Sequence, residues 1–207
     1  MERNVAPLSA AVLTGGLSRR MGIDKALVEM GGSALVERVI AAVATVSDDV
    51  FLVGDRPAYH RFGARVVADG YPGAGALGGI ATALRRARHD RVLVVACDMP
   101  TLSIPLLDAM ARLPDDADVI IPTTPVARSS QGGEKTYETL HAIYRRACLP
   151  AIERRLAAGQ LKVAGFLADV RVRVLDEDWL RQRDPDLISF ANINTPGDLA
   201  DLRDTKQ

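Results

Sequence analysis

The chain has 207 residues, 48% of them hydrophobic and 25% charged, enough to bury one sizeable core, so a single catalytic domain over residues 1–207 is expected. Its 26 lysines and arginines balance its 26 aspartates and glutamates; no global field draws it to nucleic acid or membrane, and any anionic ligand must be gripped by a local cluster. Cys97 and Cys148 form no disulfide framework, residues 1–8 lack the apolar stretch of an export signal, and nothing approaches the roughly 18 to 20 apolar residues of a membrane span, so a soluble cytoplasmic protein is expected.

In chain order, short apolar runs at 9–13, 50–53, 65–68, 91–96, 119–121 and 170–175 read as buried strands. Between them apolar residues recur at helical spacing. Leu35, Val36, Val39, Ile40, Val43 and Val46 make one stripe, Leu77, Ile80, Ala81, Leu84 and Ala87 a second, and Leu106, Leu107, Met110 and Leu113 a third. Alternating strands and helices predict an α/β fold, a mostly parallel sheet in a three-layer α/β/α arrangement, with ligands bound where loops leave the carboxyl ends of the strands. The Arg-Ser-Ser-Gln-Gly-Gly run within 126–134 reads as a mobile excursion.

The loop after the first strand carries the densest chemistry. Residues 13–25 put Gly15, Gly16, Gly22, Ser18, Arg19, Arg20 and Lys25 in one turn behind Leu13 and Thr14. Glycines let backbone N–H groups approach an anion, arginines grip phosphate oxygens two at a time, and a lysine adds a point charge. A solvated basic turn is the plainer reading, but the position straight after an N-terminal strand favours a triphosphate cradle. It is not a P-loop, because Gly22 is followed by Ile-Asp-Lys and not by Lys-Ser or Lys-Thr.

Asp98 follows the run 91–97 and precedes Met99-Pro100, which places a carboxylate at the end of a buried strand, where it can hold Mg2+ or cap the helix that starts near Ile104. Asp69 ends another strand and opens Asp-Gly-Tyr-Pro-Gly-Ala-Gly-Ala-Leu-Gly-Gly. Here Gly73, Gly75 and Gly78 satisfy G-x-G-x-x-G with Asp98 twenty residues beyond, as in a dinucleotide-binding turn. Against that rival, Asp-Gly-Tyr-Pro separates the strand from the first glycine, and Arg19, Arg20 and Lys25 would have no task. Near the end, Asn192 and Asn194 fall on one side of an extended segment, while Asn194 or Thr195 before Pro196 also reads as a helix start. His60, His89 and His141 share no ligand spacing with the cysteines, so zinc has no support and packing or surface roles are expected.

The loop L-x-G-G-x-S-x-R-M-G-x-D-K, as it stands at 13–25, resembles the signature of the molybdenum cofactor guanylyltransferases within the nucleotidyltransferase superfamily. The Asp-Met-Pro turn at 98–100 and Asn-Ile-Asn-Thr-Pro-Gly-Asp-Leu at 192–199 extend that resemblance over nearly the whole chain, although Thr139 stands where the family usually has proline. The resemblance implies a nucleotide site built from Leu13, Thr14, Gly15, Gly16, Ser18, Arg20, Lys25, Asp69, Gly78 and Asp98. Asp98 would hold Mg2+, Lys25, Arg19 and Asp98 would be catalytic, and Asn192 and Asn194 would face the acceptor, among acceptor-side elements in 123–200. It also implies transfer of GMP from GTP to molybdopterin or Mo-molybdopterin, with molybdoenzyme chaperones or apoenzymes as further partners. Gly16 favours guanine, since related cytidylyltransferases read Leu-Ala-Ala-Gly there. A cytidylyltransferase on a similar phosphate, and a non-catalytic molybdopterin-binding adaptor, remain the alternatives.

Overall fold

In the computed structural model, which describes residues 6–14, 24–125 and 135–191, strand and helix alternate much as the apolar pattern requires. The chain runs β1 (Leu8–Leu13), β2 (Glu29–Met30), β3 (Ser33–Ala34), α1 (Leu35–Val43), β4 (Asp49–Val53), β5 (Arg65–Val67), α2 (Gly75–Arg86), β6 (Arg91–Ala96) and α3 (Ile104–Ala111). It continues with β7 (Val119–Pro125), β8 (Lys135–Tyr137), β9 (His141–Arg145), α4 (Leu149–Ala157), β10 (Val172–Leu175) and α5 (Glu177–Arg181). Short 3-10 turns lie between, among them Lys25–Leu27, Pro57–Phe62 and Ile188–Phe190.

One sheet takes the order β10-β7-β9-β6-β1-β4-β5, with β8 added along β7, and β2 and β3 form a separate small hairpin. β1 pairs in parallel with β4 and β6, β4 with β5, and β7 with β10, whereas β9 runs antiparallel to both β6 and β7. Period-2 alternation divides the strand side chains between two cores. Ala10, Val12, Leu52, Leu93 and Val95 meet α1 and α3 on one face. Ala11, Leu13, Phe51, Val53, Val92 and Val94 meet α2 and α4 on the other. Helices on both faces explain why β1 and β6 are apolar at nearly every position.

The helices start and stop for local reasons. The first is entered from Ala34, whose N–H is accepted by the Glu37 carboxylate three residues on. Helix α3 is capped by Ser103, whose hydroxyl accepts the Leu106 N–H, with proline in its first turn. Six elements escape the periodicity reading: the short β2, β3, β8 and α5; β9, an apolar run that fits a buried strand or a helix segment equally well; and α4, whose mixed stripe buries only Ala151 and Ile152. The first predicted stripe also runs past its helix, which ends at Val43 before a turn over 44–46. Among the described residues no helix is long and apolar enough to cross a membrane.

Candidate active site at the carboxyl edge of the sheet

The carboxyl ends of β6, β1, β4 and β5 finish level with one another. The Cys97 N–H donates to Leu13 O (3.2 Å), the Thr14 N–H to Val53 O (3.1 Å) and the Gly54 N–H to Val67 O (2.9 Å), so the ladder continues one residue past each strand. Leu13 turns its side chain into the α2-side core, against Gly79, where a Cβ would stand 2.8 Å from Leu13 Cδ1. Thr14 directs both of its donors at one acceptor, its hydroxyl also reaching Val53 O (2.8 Å). These two residues anchor the start of the predicted phosphate loop rather than offering it donors.

The far end of that loop is anchored as firmly. Asp24 caps the turn Lys25–Leu27 by accepting the Ala26 N–H (3.1 Å), accepts the Tyr59 hydroxyl (2.9 Å), and pairs with Arg56 (3.2 Å). Burial, then the hydrogen bond to Asp24 and its charge, push the Tyr59 phenol well above its usual range against a smaller opposing effect of Thr14, so it stays a donor. Tyr59 is 2% exposed and, with Thr14, crowds Gly54, where a Cβ would lie 2.2 Å from Thr14 Oγ1. One buried tyrosine therefore packs between the two ends of the loop.

This anchoring delivers Lys25 Nζ to within 3.0 Å of Asp98 Oδ2, across the gap between the first loop and the end of β6. Asp98 does not cap α3; Ser103 does. Its carboxylate is thus left at the strand end, partly exposed, with Oδ1 unbonded among the described residues. Mg2+ keeps several waters and takes only one or two carboxylates when it bridges substrate phosphates. A single carboxylate with an open oxygen fits that coordination, and the adjoining ammonium can face substrate phosphate. Among the described residues no cluster of three or more potential metal ligands forms.

Asp69 follows β5, at the edge of the sheet three strands from β6, and Gly78 lies in α2. Asp69 Oδ1 accepts the Tyr71 N–H (3.0 Å) and the Thr82 hydroxyl (2.8 Å), and the same hydroxyl accepts the Gly70 N–H (3.0 Å). The turn that follows β5 is thereby bolted to α2. Gly78 is the point of closest approach, since a Cβ there would meet Ala74 Cβ at 2.8 Å and Tyr71 Cβ and O at 2.9 Å. Strand β5 ends at Val67, well ahead of Gly73, so the dinucleotide-binding turn, which needs its first glycine at the strand's end, is not formed.

On the other flank of Asp98 the sheet passes from β6 to β9 and β7. Glu138, just before β9, accepts a hydrogen bond from the Thr124 hydroxyl, and burial pushes its carboxyl pKa up. His141 is fully buried, neither ring nitrogen makes a hydrogen bond of full geometry, and burial lowers its pKa to about 4 against the opposing pull of Asp184 and the Ser189 backbone. Its ring packs 4.9 Å from that of Phe190, so the C-terminal segment returns to this edge. The segment is pinned below Asp98, where Thr101 Oγ1 donates to Ile188 O (2.8 Å) and the Ser103 N–H to Ser189 Oγ (2.8 Å).

The structure brings Lys25 and Asp98 together and places Thr14, Asp69 and Gly78 on the β1–β5 side of them. Gly15, Gly16, Ser18, Arg19 and Arg20 lie outside the described residues, as do Asn192 and Asn194 and the 126–134 run. Sequence reasoning passed over Asp24, Tyr59, Thr82 and Glu138. An aspartate ahead of Lys-Ala-Leu is a capping signal that could have marked Asp24. The other three gain meaning only from tertiary neighbours.

Comparison with known proteins gives a consistent result. Residues 10–173 match the MobA-like NTP transferase domain family. A protein of Pelotomaculum thermopropionicum named probable molybdenum cofactor guanylyltransferase is 38% identical over 94% of this chain and 91% of its own length. The molybdenum cofactor guanylyltransferase of Desulfosudis oleivorans is 34% identical over 93% and 92%. Among solved structures, molybdopterin-guanine dinucleotide biosynthesis protein A from Archaeoglobus fulgidus superposes with a TM-score of 0.77 at 28% identity, covering 95% of this chain and 97% of that one. The 2-C-methyl-D-erythritol 4-phosphate cytidylyltransferase of Thermus thermophilus, at 18% identity and a TM-score of 0.71 over 96% and 98%, shares the fold.

Proposed function

Since the chain belongs to the MobA-like NTP transferase domain family and is a nucleotidyltransferase, we propose that it transfers GMP from GTP to the phosphate of molybdopterin, or Mo-molybdopterin, and releases pyrophosphate. The observation that carries this reading is the meeting of Lys25 with Asp98 at 3.0 Å, midway along the carboxyl edge of the sheet. On one side of the pair lie Thr14, Asp69 and the α2 turn, and on the other Glu138 and the returning C-terminal segment. A nucleotide on the first side and an acceptor on the second would meet at the pair.

In the proposed reaction a terminal phosphate oxygen of the acceptor forms a bond to the α-phosphorus of GTP. The bond from that phosphorus to the bridging α–β oxygen breaks, and its electron pair leaves with pyrophosphate. Two anions must be brought together, so catalysis consists of positioning and charge neutralisation, without a covalent enzyme intermediate. Lys25 neutralises phosphate charge, with Arg19 or Arg20 of the same loop assigned to the triphosphate. Asp98 would hold Mg2+ through Oδ1, and the ion would supply Lewis-acid stabilisation of the phosphate oxygens. Asp69 is assigned to the nucleotide through Oδ2, which the turn leaves open, and Gly78 to the wall against which the nucleotide rests. Asn192 and Asn194 follow directly from the segment pinned at Phe190 and are assigned to the acceptor, and molybdoenzyme chaperones or apoenzymes would take the product.

The test is pyrophosphate release from purified protein with Mg2+ and each of the four nucleoside triphosphates, with and without molybdopterin. Release that requires GTP and acceptor together is expected. Preference for CTP would replace the product with the cytosine dinucleotide, and silence with every nucleotide would return the adaptor reading.

A further inference from the structure

Glu138 differs from the other acidic groups packed into this fold. Asp24 is held by Arg56, Asp49 by Arg65, Asp98 by Lys25 and Asp118 by Arg171, each at 2.8–3.2 Å. Asp184 accepts two backbone N–H groups, from Ile188 and Ser189. Glu138 has a single partner among the described residues, the neutral hydroxyl of Thr124 on Oε1. Its second oxygen has no protein partner there and is not sealed from solvent. Burial raises its pKa because nothing cationic compensates the lost hydration.

Its position is fixed by the sheet. The Glu138 N–H donates to Pro122 O (2.9 Å), the His141 N–H to Glu138 O (3.1 Å), and the Ala96 N–H to Leu140 O (3.2 Å). Glu138 therefore leaves the sheet at the same edge as Asp98, one strand over, on the side away from Lys25 and Thr14. It stands where the acceptor has to lie. A desolvated carboxylate with an open oxygen repels phosphate and attracts a neutral group bearing N–H donors.

We propose that Glu138, held by Thr124, is the specificity determinant for the heterocyclic end of the acceptor, accepting hydrogen bonds from the amino and ring N–H groups of a 2-amino-4-oxopyrimidine edge. A pterin carries that edge, as a planar pair of donors suited to one carboxylate. The acceptor is thereby gripped at its ring, and its phosphate is left free to approach the Lys25–Asp98 pair. This assignment rests on the proposed molybdopterin acceptor and adds which end of it the protein reads.

The test compares wild-type protein with Glu138→Gln, which keeps size and shape, and with Glu138→Asp, which keeps the charge. KM for GTP and for molybdopterin is measured by pyrophosphate release, with pterin and lumazine, its 2-oxo analogue, as competitors of the acceptor. Wild type is expected to bind pterin in preference to lumazine. Glu138→Gln should raise the acceptor KM roughly 10- to 100-fold, the loss of a charge-assisted hydrogen-bond pair, leave the GTP KM within about twofold, and erase the pterin preference. Glu138→Asp should retain the preference. An unchanged acceptor KM and an intact preference in Glu138→Gln, with wild type active, would overturn the assignment while leaving the reaction standing. A wild type that releases no pyrophosphate from GTP and molybdopterin would remove the reaction and this assignment with it.

Discussion

Lys25 Nζ and Asp98 Oδ2 lie 3.0 Å apart although 73 positions separate them in the chain, and both are largely shielded, with side chains 16% and 21% exposed. Desolvation offsets most of the attraction in so shielded a pair, so its net contribution to stability is small, on the order of 1 kcal/mol. If it neutralises phosphate charge, its removal acts on rate instead. Lys25→Ala should lower kcat roughly 10²- to 10³-fold while the melting temperature moves by only a few degrees. Asp98→Asn should abolish Mg2+-dependent turnover. Wild-type turnover in either variant would refute the role given to that residue.

Tyr59 packs between the ends of the predicted phosphate loop, with its hydroxyl on Asp24 and its ring against Gly54 beside Thr14. Tyr59→Phe keeps the packing and deletes the donor, a change worth about 1 to 2 kcal/mol. The expected result is a melting temperature lower by about 2 to 8 °C together with a raised KM for GTP, because Asp24 then sets Lys25 less well. A fully wild-type melting curve and KM would show the hydroxyl to be idle.

At Gly78 the atoms crowding a Cβ are a neighbouring Cβ and the backbone of Tyr71, none of which can swing aside. Gly78→Ala should therefore push the 71–74 turn outward and cost about 1 to 3 kcal/mol, read by urea denaturation. The same turn is tied to Asp69 through the Tyr71 N–H, so calorimetric titration should show GTP binding weakened as well. Loss of stability with unaltered GTP affinity would separate Gly78 and Asp69 from the nucleotide.

His141 supplies a pH test. Burial holds its imidazole at a pKa of about 4 against 6.5 for an exposed histidine, so folding favours the neutral ring. The unfolded chain then takes up this proton first as pH falls, and stability is lost between about pH 6.5 and 4, by as much as ~3 kcal/mol. His141→Leu removes from the core two ring nitrogens that lack a hydrogen bond of full geometry and should be at least as stable as wild type near pH 7. The difference between the two proteins in denaturation midpoint should widen toward pH 4. A constant difference across that range would contradict the burial-driven shift.

The sequence by itself determined the architecture and raised the expectation of a phosphate site. Continuous apolar runs alternating with stripes at helical spacing require a sheet covered on both faces, and glycines with basic residues behind the first strand are the ground for expecting a phosphate site. The chemistry of Asp98 was legible as well, as one of two uses. Only the tertiary structure removed the capping use, because whether an aspartate caps a helix depends on whether another residue already holds the N-terminal amides, and Ser103 does. It likewise decided that β9 runs antiparallel between β6 and β7, since short apolar runs carry no direction and pairing is settled by neighbours far along the chain. Glu138, Tyr59 and Thr82 were invisible for the same reason. A lone glutamate, tyrosine or threonine acquires a function from burial and from the group it faces, and neither is a property of local sequence.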